Sequence, residues 1–223
     1  MSLDTHKRYV QIAFNGTPQQ VRRILPRIPY DPRIIIEAGT PYVKYAGMNG
    51  IRLIRRMWKG LVVADIKITD GAVKEVIYAA NAGANAATVM GSAPVETLDY
   101  FIEFCSRHGI FSMIDMLGVD NSLKKMMPMK QKPNVVVIHK GRDEEGNERK
   151  LIRYKDVVKI RSKYDSLISV AGGLDLKSVR SAYFNGADIA VINVVSAGDP
   201  NAGLHEDEDI KNTIPKILKE VGQ

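Results

Sequence analysis

The sequence predicts a single (β/α)8 barrel, and three observations carry that expectation. Eight short apolar runs recur along the 223 residues, segments with helical spacing lie between most of them, and a polar side chain stands at or just after the end of most runs. Largely apolar runs of this length suit strands buried on both faces, as in a parallel sheet. Strand–helix alternation then leaves two architectures, a closed barrel or an open doubly wound sheet. A barrel gathers its reactive groups at the C-terminal ends of its strands, which is where Asn15, Glu37, Asp65 with Lys67, Asp115, His139 and Asn193 fall. An open sheet would carry a glycine-rich turn after its first strand, and the turn here, Asn15 to Pro18, matches no dinucleotide fingerprint.

The elements follow in order. The apolar runs are Val10–Phe14, Ile34–Ile36, Leu61–Ile66, Ala86–Met90, Phe111–Met116, Val135–Ile138, Leu167–Val170 and Asp188–Ile192. After the first run, Thr17 reads as a helix N-cap with Pro18 at the first helical position, leading into Val21, Ile24 and Leu25. Gly71 to Gly83 carries Val73, Val76, Ile77 and Ala80 on one helical face, with Gly83 as the stop. Pro94 to Arg107 reads the same way, as does Leu176 to Asn185, which Gly186 ends. Asp156 to Lys163 and Ile210 to Val221 fill further helical slots. No linker or low-complexity stretch divides residues 1–223, so one domain is expected, with residues 1–8 flexible.

Composition narrows the function classes. Apolar residues make up 45% and charged residues 26%, ordinary values for a globular chain. No stretch approaches the ~20 apolar residues that span a bilayer, and the polar N-terminus lacks a signal-peptide core. The single cysteine, Cys105, excludes an internal disulfide framework and fits a reducing cytoplasm. The net charge of +7 suits an anionic small substrate, but it suits a solvated basic surface equally well. Nucleic acid is not expected, because no basic run is interleaved with aromatic residues as a stacking platform would be.

The most specific local feature is Asp65, Lys67 and Asp70 at the end of the third run. On a strand, alternate residues face the same way, so Asp65 and Lys67 both project into the barrel mouth. Asp70 follows in the succeeding loop. A lysine between two carboxylates is held charged, and a fixed ammonium stabilises an oxyanion or carbanion that develops in a transition state. The alternative is an ordinary ion pair at a strand end, although charges so close to an apolar run are costly unless paired. Glu37, on the neighbouring strand, would set a second carboxylate beside Asp65. Such oxygen-only ligation suits Mg2+, and a carboxylate paired with a nearby base is the competing reading. His139 is a candidate general acid or base, with Arg142 three residues on and able to reach the same ligand. Ala171, Gly172 and Gly173 offer bare backbone N–H groups for a phosphate, although paired glycines also mark plain turns.

These motifs, taken in order, resemble the orotidine-monophosphate decarboxylase superfamily, and within it the 3-hexulose-6-phosphate synthases of archaeal type. The resemblance runs through Glu37–Pro41, Ala64–Asp70, Ala84–Gly91, Ala93–Thr97, Ile114–Met116, His139–Asp143 and Val170–Gly173. It implies a homodimer with active sites at its interface and Asp70 contributed to the partner's site. It further implies Mg2+ near Glu37 and Asp65, Lys67 stabilising an enediolate, and His139 assisting proton transfer. The implied reaction is the aldol condensation of ribulose 5-phosphate with formaldehyde, or its reverse. Substrate contacts are expected from Asn15, Glu37, Arg142 and Asn193, and from the backbone of Ala171, Gly172 and Gly173.

Two positions depart from the family pattern. Asn15 stands where a first-strand aspartate is usual, and Asn193-Val194 replaces the strand-eight Gly-Arg that grips phosphate. Losing that arginine removes a charge-assisted contact worth about 1.5–3 kcal/mol. The pairing of His139 with Arg142 resembles the keto-gulonate-phosphate decarboxylases, so decarboxylation of that type, or of the orotidine-phosphate type, is the alternative reaction. A barrel that has lost catalysis and serves as a binding or regulatory protein is the alternative of another class.

Overall fold

A computed structural model describes residues 3–147 and 151–220. The strands are β1 (Tyr9–Phe14), β2 (Ile34–Ala38), β3 (Leu61–Ile68), β4 (Ala86–Met90), β5 (Phe111–Asp115), β6 (Val135–His139), β7 (Leu167–Ala171), β8 (Ile189–Val195) and a short β9 (Leu204–His205). The helices are α1 (Pro18–Ile24), α2 (Thr40–Met57), α3 (Ala72–Asn81), α4 (Val95–Arg107), α5 (Ser122–Met126), α6 (Tyr154–Arg161), α7 (Leu176–Phe184) and α8 (Ile210–Glu220). Strands β1 to β8 pair in parallel in sequence order, and β1 closes on β8 with Val10 opposite Ala190 and Ala13 opposite Asn193. This is the closed eight-stranded barrel the sequence predicts. β9 adds to the end of β8, with Val194 opposite Leu204.

The two-residue period of the strands splits the core in two. Ala13, Ile35, Val63, Met113, Val137 and Val191 point inward and fill the barrel. Ile12, Ile36, Val62, Ile114, Val136 and Ile192 point outward and pack under the helices. Both faces of every strand are thereby buried, which is why the runs read as continuously apolar.

Several helix ends follow from local chemistry. The Thr17 side chain accepts from the Gln20 N–H with Pro18 at the first turn of α1, and Asp175 with Ser178 forms a capping box on α7. Two helices escape the sequence pattern. α2 contains Pro41, Gly47 and Gly50, and it kinks at Gly47, whose φ of 59° no ordinary helical residue adopts. Gly50 lies on its buried face because a Cβ there would meet the Tyr42 ring at 2.8 Å. Proline and glycine are poor helix formers, so this composition masks the helix although Tyr42, Ile51, Leu53 and Ile54 mark its buried face. α5, at five residues, is too short to show any.

Residues 3–8 lie at the N-terminal end of the barrel. Leu3 packs on the inner core, and the Asp4 N–H donates to the Tyr9 hydroxyl at 2.7 Å. Residues 1, 2 and Val221 lie outside the described residues. Among the described residues, no helix is long and apolar enough to cross a membrane.

Candidate active site

The C-terminal ends of the strands surround a cavity of about 430 Å3. Its floor is set by an irregularity in β3. Ala64 pairs with Ala87 of β4 and Ile68 with Val89, so Asp65, Ile66 and Lys67 stand opposite Thr88 alone. This bulge forces Lys67 to φ 47°, the one positive φ at a non-glycine among the described residues. A non-glycine in that region costs of order 1–2 kcal/mol. Thr88 offsets part of the cost, accepting from the Lys67 N–H at 3.0 Å and donating to Asp65 Oδ1 at 2.7 Å. Thr40, at the start of α2, donates to Asp65 Oδ2 at 2.7 Å. Both oxygens of Asp65 are thereby oriented.

The Lys67 ammonium lies 3.3 Å from Asp65 Oδ1 and donates to Asp115 Oδ2 at the end of β5. Asp115 also holds His139, whose Nδ1 is 2.9–3.0 Å from both carboxylate oxygens. Because a carboxylate only accepts, this nitrogen carries the proton, and Nε2 is left to exchange one with a ligand. Burial opposes the charge on Lys67, but Asp65 and Asp115 outweigh it and raise its pKa. Burial likewise opposes charge on His139, and Asp115 again prevails and raises it. Burial disfavours the Asp115 carboxylate too, yet His139 and Lys67 together hold its pKa well below the usual range. Lys67 and Asp115 are thereby held as a charged pair set against apolar walls.

Here the structure corrects the expected cluster. Asp70 is exposed beyond β3 and does not line this cavity, so it is no partner of Lys67 within the chain. The second carboxylate is Asp115. Asn15, Glu37, Asp65, Lys67, His139 and Arg142 all line the cavity, as do Ala171, Gly172 and Asn193. Gly173 does not; the Glu145 side chain covers it.

Glu37 is buried on β2, where it accepts a hydrogen bond from Gln11 Nε2. Burial, aided by the neighbouring Asp65 charge, pushes its pKa up to about 8. Such a pair of carboxylates favours a nearby cation. Among the described residues, no three His, Cys, Asp or Glu side chains are grouped as a metal cage. Glu37 and Asp65 supply oxygen donors of the kind a hard cation takes together with waters and substrate oxygens, rather than the N and S ligands of a transition-metal site.

The two departures from the family pattern meet each other. Asn15 Nδ2 donates to Asn193 Oδ1 at 3.0 Å, tying β1 to β8 at the cavity rim. Asn15 Oδ1 in turn rests on Gly39, where a Cβ would lie 2.0 Å away.

Sequence reasoning missed the roles of Asp115, Thr88, Thr40 and Gln11. Asp115 was visible as a strand-end acid, but its link to Lys67 spans 48 residues and one intervening strand. Thr88 and Gln11 carried a weaker signal, as inward polar residues within apolar strands.

Comparison with known proteins agrees with this geometry. The chain matches the orotidine 5'-phosphate decarboxylase / HUMPS family over residues 2–206. It is 37% identical over 188 residues to the bifunctional enzyme Fae/Hps of Methanocella arvoryzae, covering 82% of this chain and 48% of that protein. It is 35% identical over 217 residues to the bifunctional enzyme Fae/Hps of Methanosphaerula palustris, covering 96% of this chain and 52% of that one. The chain thus spans about half the length of the curated relatives it matches. The crystal structure of 3-hexulose-6-phosphate synthase from Salmonella typhimurium superposes with a TM-score of 0.82 at 25% identity, covering 96% of this chain and 98% of that one. On the extent of that match, and with a barrel and strand-end site to support it, this chain belongs to the orotidine 5'-phosphate decarboxylase / HUMPS family.

Proposed function

We propose that this chain is a carbon–carbon lyase of the hexulose-phosphate synthase type, joining ribulose 5-phosphate to formaldehyde or running the reverse cleavage. One observation carries the reading: a half-buried lysine held charged between Asp65 and Asp115, with His139 on the same Asp115, on the floor of a cavity of about 430 Å3. The condensation removes a proton from C1 of the ketose and leaves its electron pair as an enediolate. C1 then attacks the formaldehyde carbon, and the resulting alkoxide takes up a proton.

His139 Nε2 accepts and returns protons, while Asp115 fixes the ring's orientation and tautomer. Lys67 holds positive charge beside the enediolate oxygen, and its fixed position avoids reorganisation as charge develops. Asp65 and Thr88 keep that ammonium in place. Glu37 and Asp65 would hold Mg2+, which when bound supplies Lewis acidity toward the substrate's carbonyl oxygen. Asn15 and Asn193 meet sugar hydroxyls, and Gly172 admits the phosphate end.

Two copies of the chain pair in this reading, so that Asp70, exposed just beyond β3, completes the partner's cavity. A cytoplasmic setting fits a lone, buried cysteine, Cys105.

The test is incubation with ribulose 5-phosphate, formaldehyde and Mg2+, following loss of formaldehyde, alongside exchange of the C1 proton in deuterated water without formaldehyde. Both are expected. Absence of both overturns the reading. The presence of Arg142 as well as His139 in the cavity lining favours one second reading, decarboxylation of a keto-sugar acid phosphate through a similar enediolate. Release of carbon dioxide from 3-keto-gulonate 6-phosphate, without formaldehyde turnover, would select it.

A further inference from the structure

The mouth of the cavity carries an ion pair that the floor chemistry does not use. Arg142, on the loop after β6, lies 3.0 Å from Glu145 and 3.8 Å from Asp199 on the loop after β8. Glu145 is the closer partner, and its side chain is only 11% exposed although it stands on a surface loop. It is tucked against the turn that follows β7. A Cβ built on Gly173 would fall 2.9 Å from Glu145 Cδ and 3.0 Å from Oε2. Gly172 and Gly173 have φ of 117° and 60°, so this turn keeps its backbone bare; Gly172 packs on the Lys140 backbone, and Gly173 is covered by the Glu145 carboxylate.

Among the described residues, the opposite wall supplies no positive charge. Asn193, Val194, Val195 and Ser196 line the cavity where β8 ends, and none is cationic. Of the cations that line it, Lys67 is committed to Asp65 and Asp115 at the floor, and His139 to Asp115. Among the described residues, Arg142 is the remaining one, and it is held by carboxylates of this same chain.

We propose that Arg142 grips the anionic end of the substrate, and that Glu145 is an internal anion seated in its place, which an incoming phosphate must displace. This rests on the sugar-phosphate reading of the cavity. A phosphate dianion brings more charge and three oxygens to a guanidinium, and it satisfies the planar fork at least as well as a carboxylate does. An uncharged sugar has nothing to exchange for Glu145, so Arg142 stays paired. Selection between phosphorylated and free sugars is therefore a competition between two anions for one cation. The arrangement keeps the guanidinium oriented between turnovers at the expense of affinity.

Calorimetric titration with inorganic phosphate, and with ribulose 5-phosphate against ribulose, tests this without requiring turnover. Glu145→Gln and Glu145→Ala should each tighten phosphate about fivefold, the scale of one partly exposed ion pair. Arg142→Gln should weaken phosphate about tenfold, and adding Glu145→Gln to it should bring no recovery. Ribulose should bind all of these alike. The proposal is overturned if Glu145→Gln leaves phosphate affinity within about twofold, or if neither protein binds phosphate measurably. It is also overturned if ribulose tightens as much as ribulose 5-phosphate, since Glu145 would then be only a steric plug. Loss of formaldehyde turnover with the phosphate pattern intact would sink the synthase reading and leave this one standing.

Discussion

Asp115→Asn is the substitution that discriminates most sharply. The Asp115 side chain is 3% exposed and accepts from three donors: Lys67 Nζ, His139 Nδ1 and the Leu117 N–H at 3.0 Å. Asparagine keeps the shape but offers a single acceptor oxygen, and it turns an NH2 group toward remaining donors. Breaking a buried ion pair by removing one partner costs about 3–5 kcal/mol. Lys67 still has Asp65 at 3.3 Å, so the lower end is expected, about 3 kcal/mol. For a chain of this size, that is a fall in Tm of roughly 6–12 °C.

The titration of His139 should change direction as well. Its pKa is raised because Asp115 overcomes burial; without that charge, burial and Lys67 oppose protonation with only the weaker pull of Asp65 against them, and the pKa falls. The sign of the linkage follows. A raised histidine pKa contributes stability that is fully present below the unfolded value of about 6.5 and lost as pH rises through the folded one. The wild type therefore holds an acid-side advantage that the variant lacks. The assay is an NMR titration of the imidazole signals, with four histidines to assign, plus thermal melts at acid and neutral pH. A kcat lower by about 100-fold or more is expected if His139 is the acid–base group. A His139 pKa that stays put or rises in the variant would refute the network.

Three further expectations follow from other parts of the site. Thr88→Val should lower the denaturation midpoint by the equivalent of about 1–3 kcal/mol with an unchanged m-value, because it strands the Lys67 N–H inside the bulge; an unshifted midpoint would mean the bulge is held by something else. Glu37→Gln should abolish Mg2+-dependent activity and weaken Mn2+ binding read by paramagnetic relaxation. Since Glu37 titrates near 8 when folded, the wild type should lose stability from about pH 4.5 up to 8 without the cation, and the variant should be flatter over that window. Mixing inactive Lys67→Ala and Asp70→Ala chains should restore turnover if Asp70 acts across a dimer, because a mixed pair contains one intact site. No recovery after subunit exchange, shown by native mass spectrometry, would place Asp70 outside the reaction.

The parts of this fold that were legible in the sequence are those whose signal is local. The fourth run, Ala86–Met90, is the whole of β4, and the fifth overshoots β5 by one residue. Burial on both faces writes itself into consecutive residues. α2 stayed hidden because Pro41, Gly47 and Gly50 read as turn residues, and its axis bends at Gly47, although its apolar face is marked. The strand-end acids were visible for a related reason: a charge beside an apolar run is conspicuous wherever the chain goes.

Which of those charges meet is a different kind of fact. Lys67 and Asp70 are three residues apart and do not share the cavity, whereas Lys67 and Asp115 are 48 apart and in contact. The same holds for Asn15 with Asn193, 178 residues apart, which meet because β1 closes on β8. The sequence by itself determined the strands, the barrel and the end of it that carries chemistry, since hydrophobic periodicity and isolated charge are properties of short segments. Only the tertiary structure decided that Asp115 completes the lysine's clamp and that Glu145 sits against Gly173. Both contacts depend on strand register and loop placement, and these are set by closure of the whole barrel.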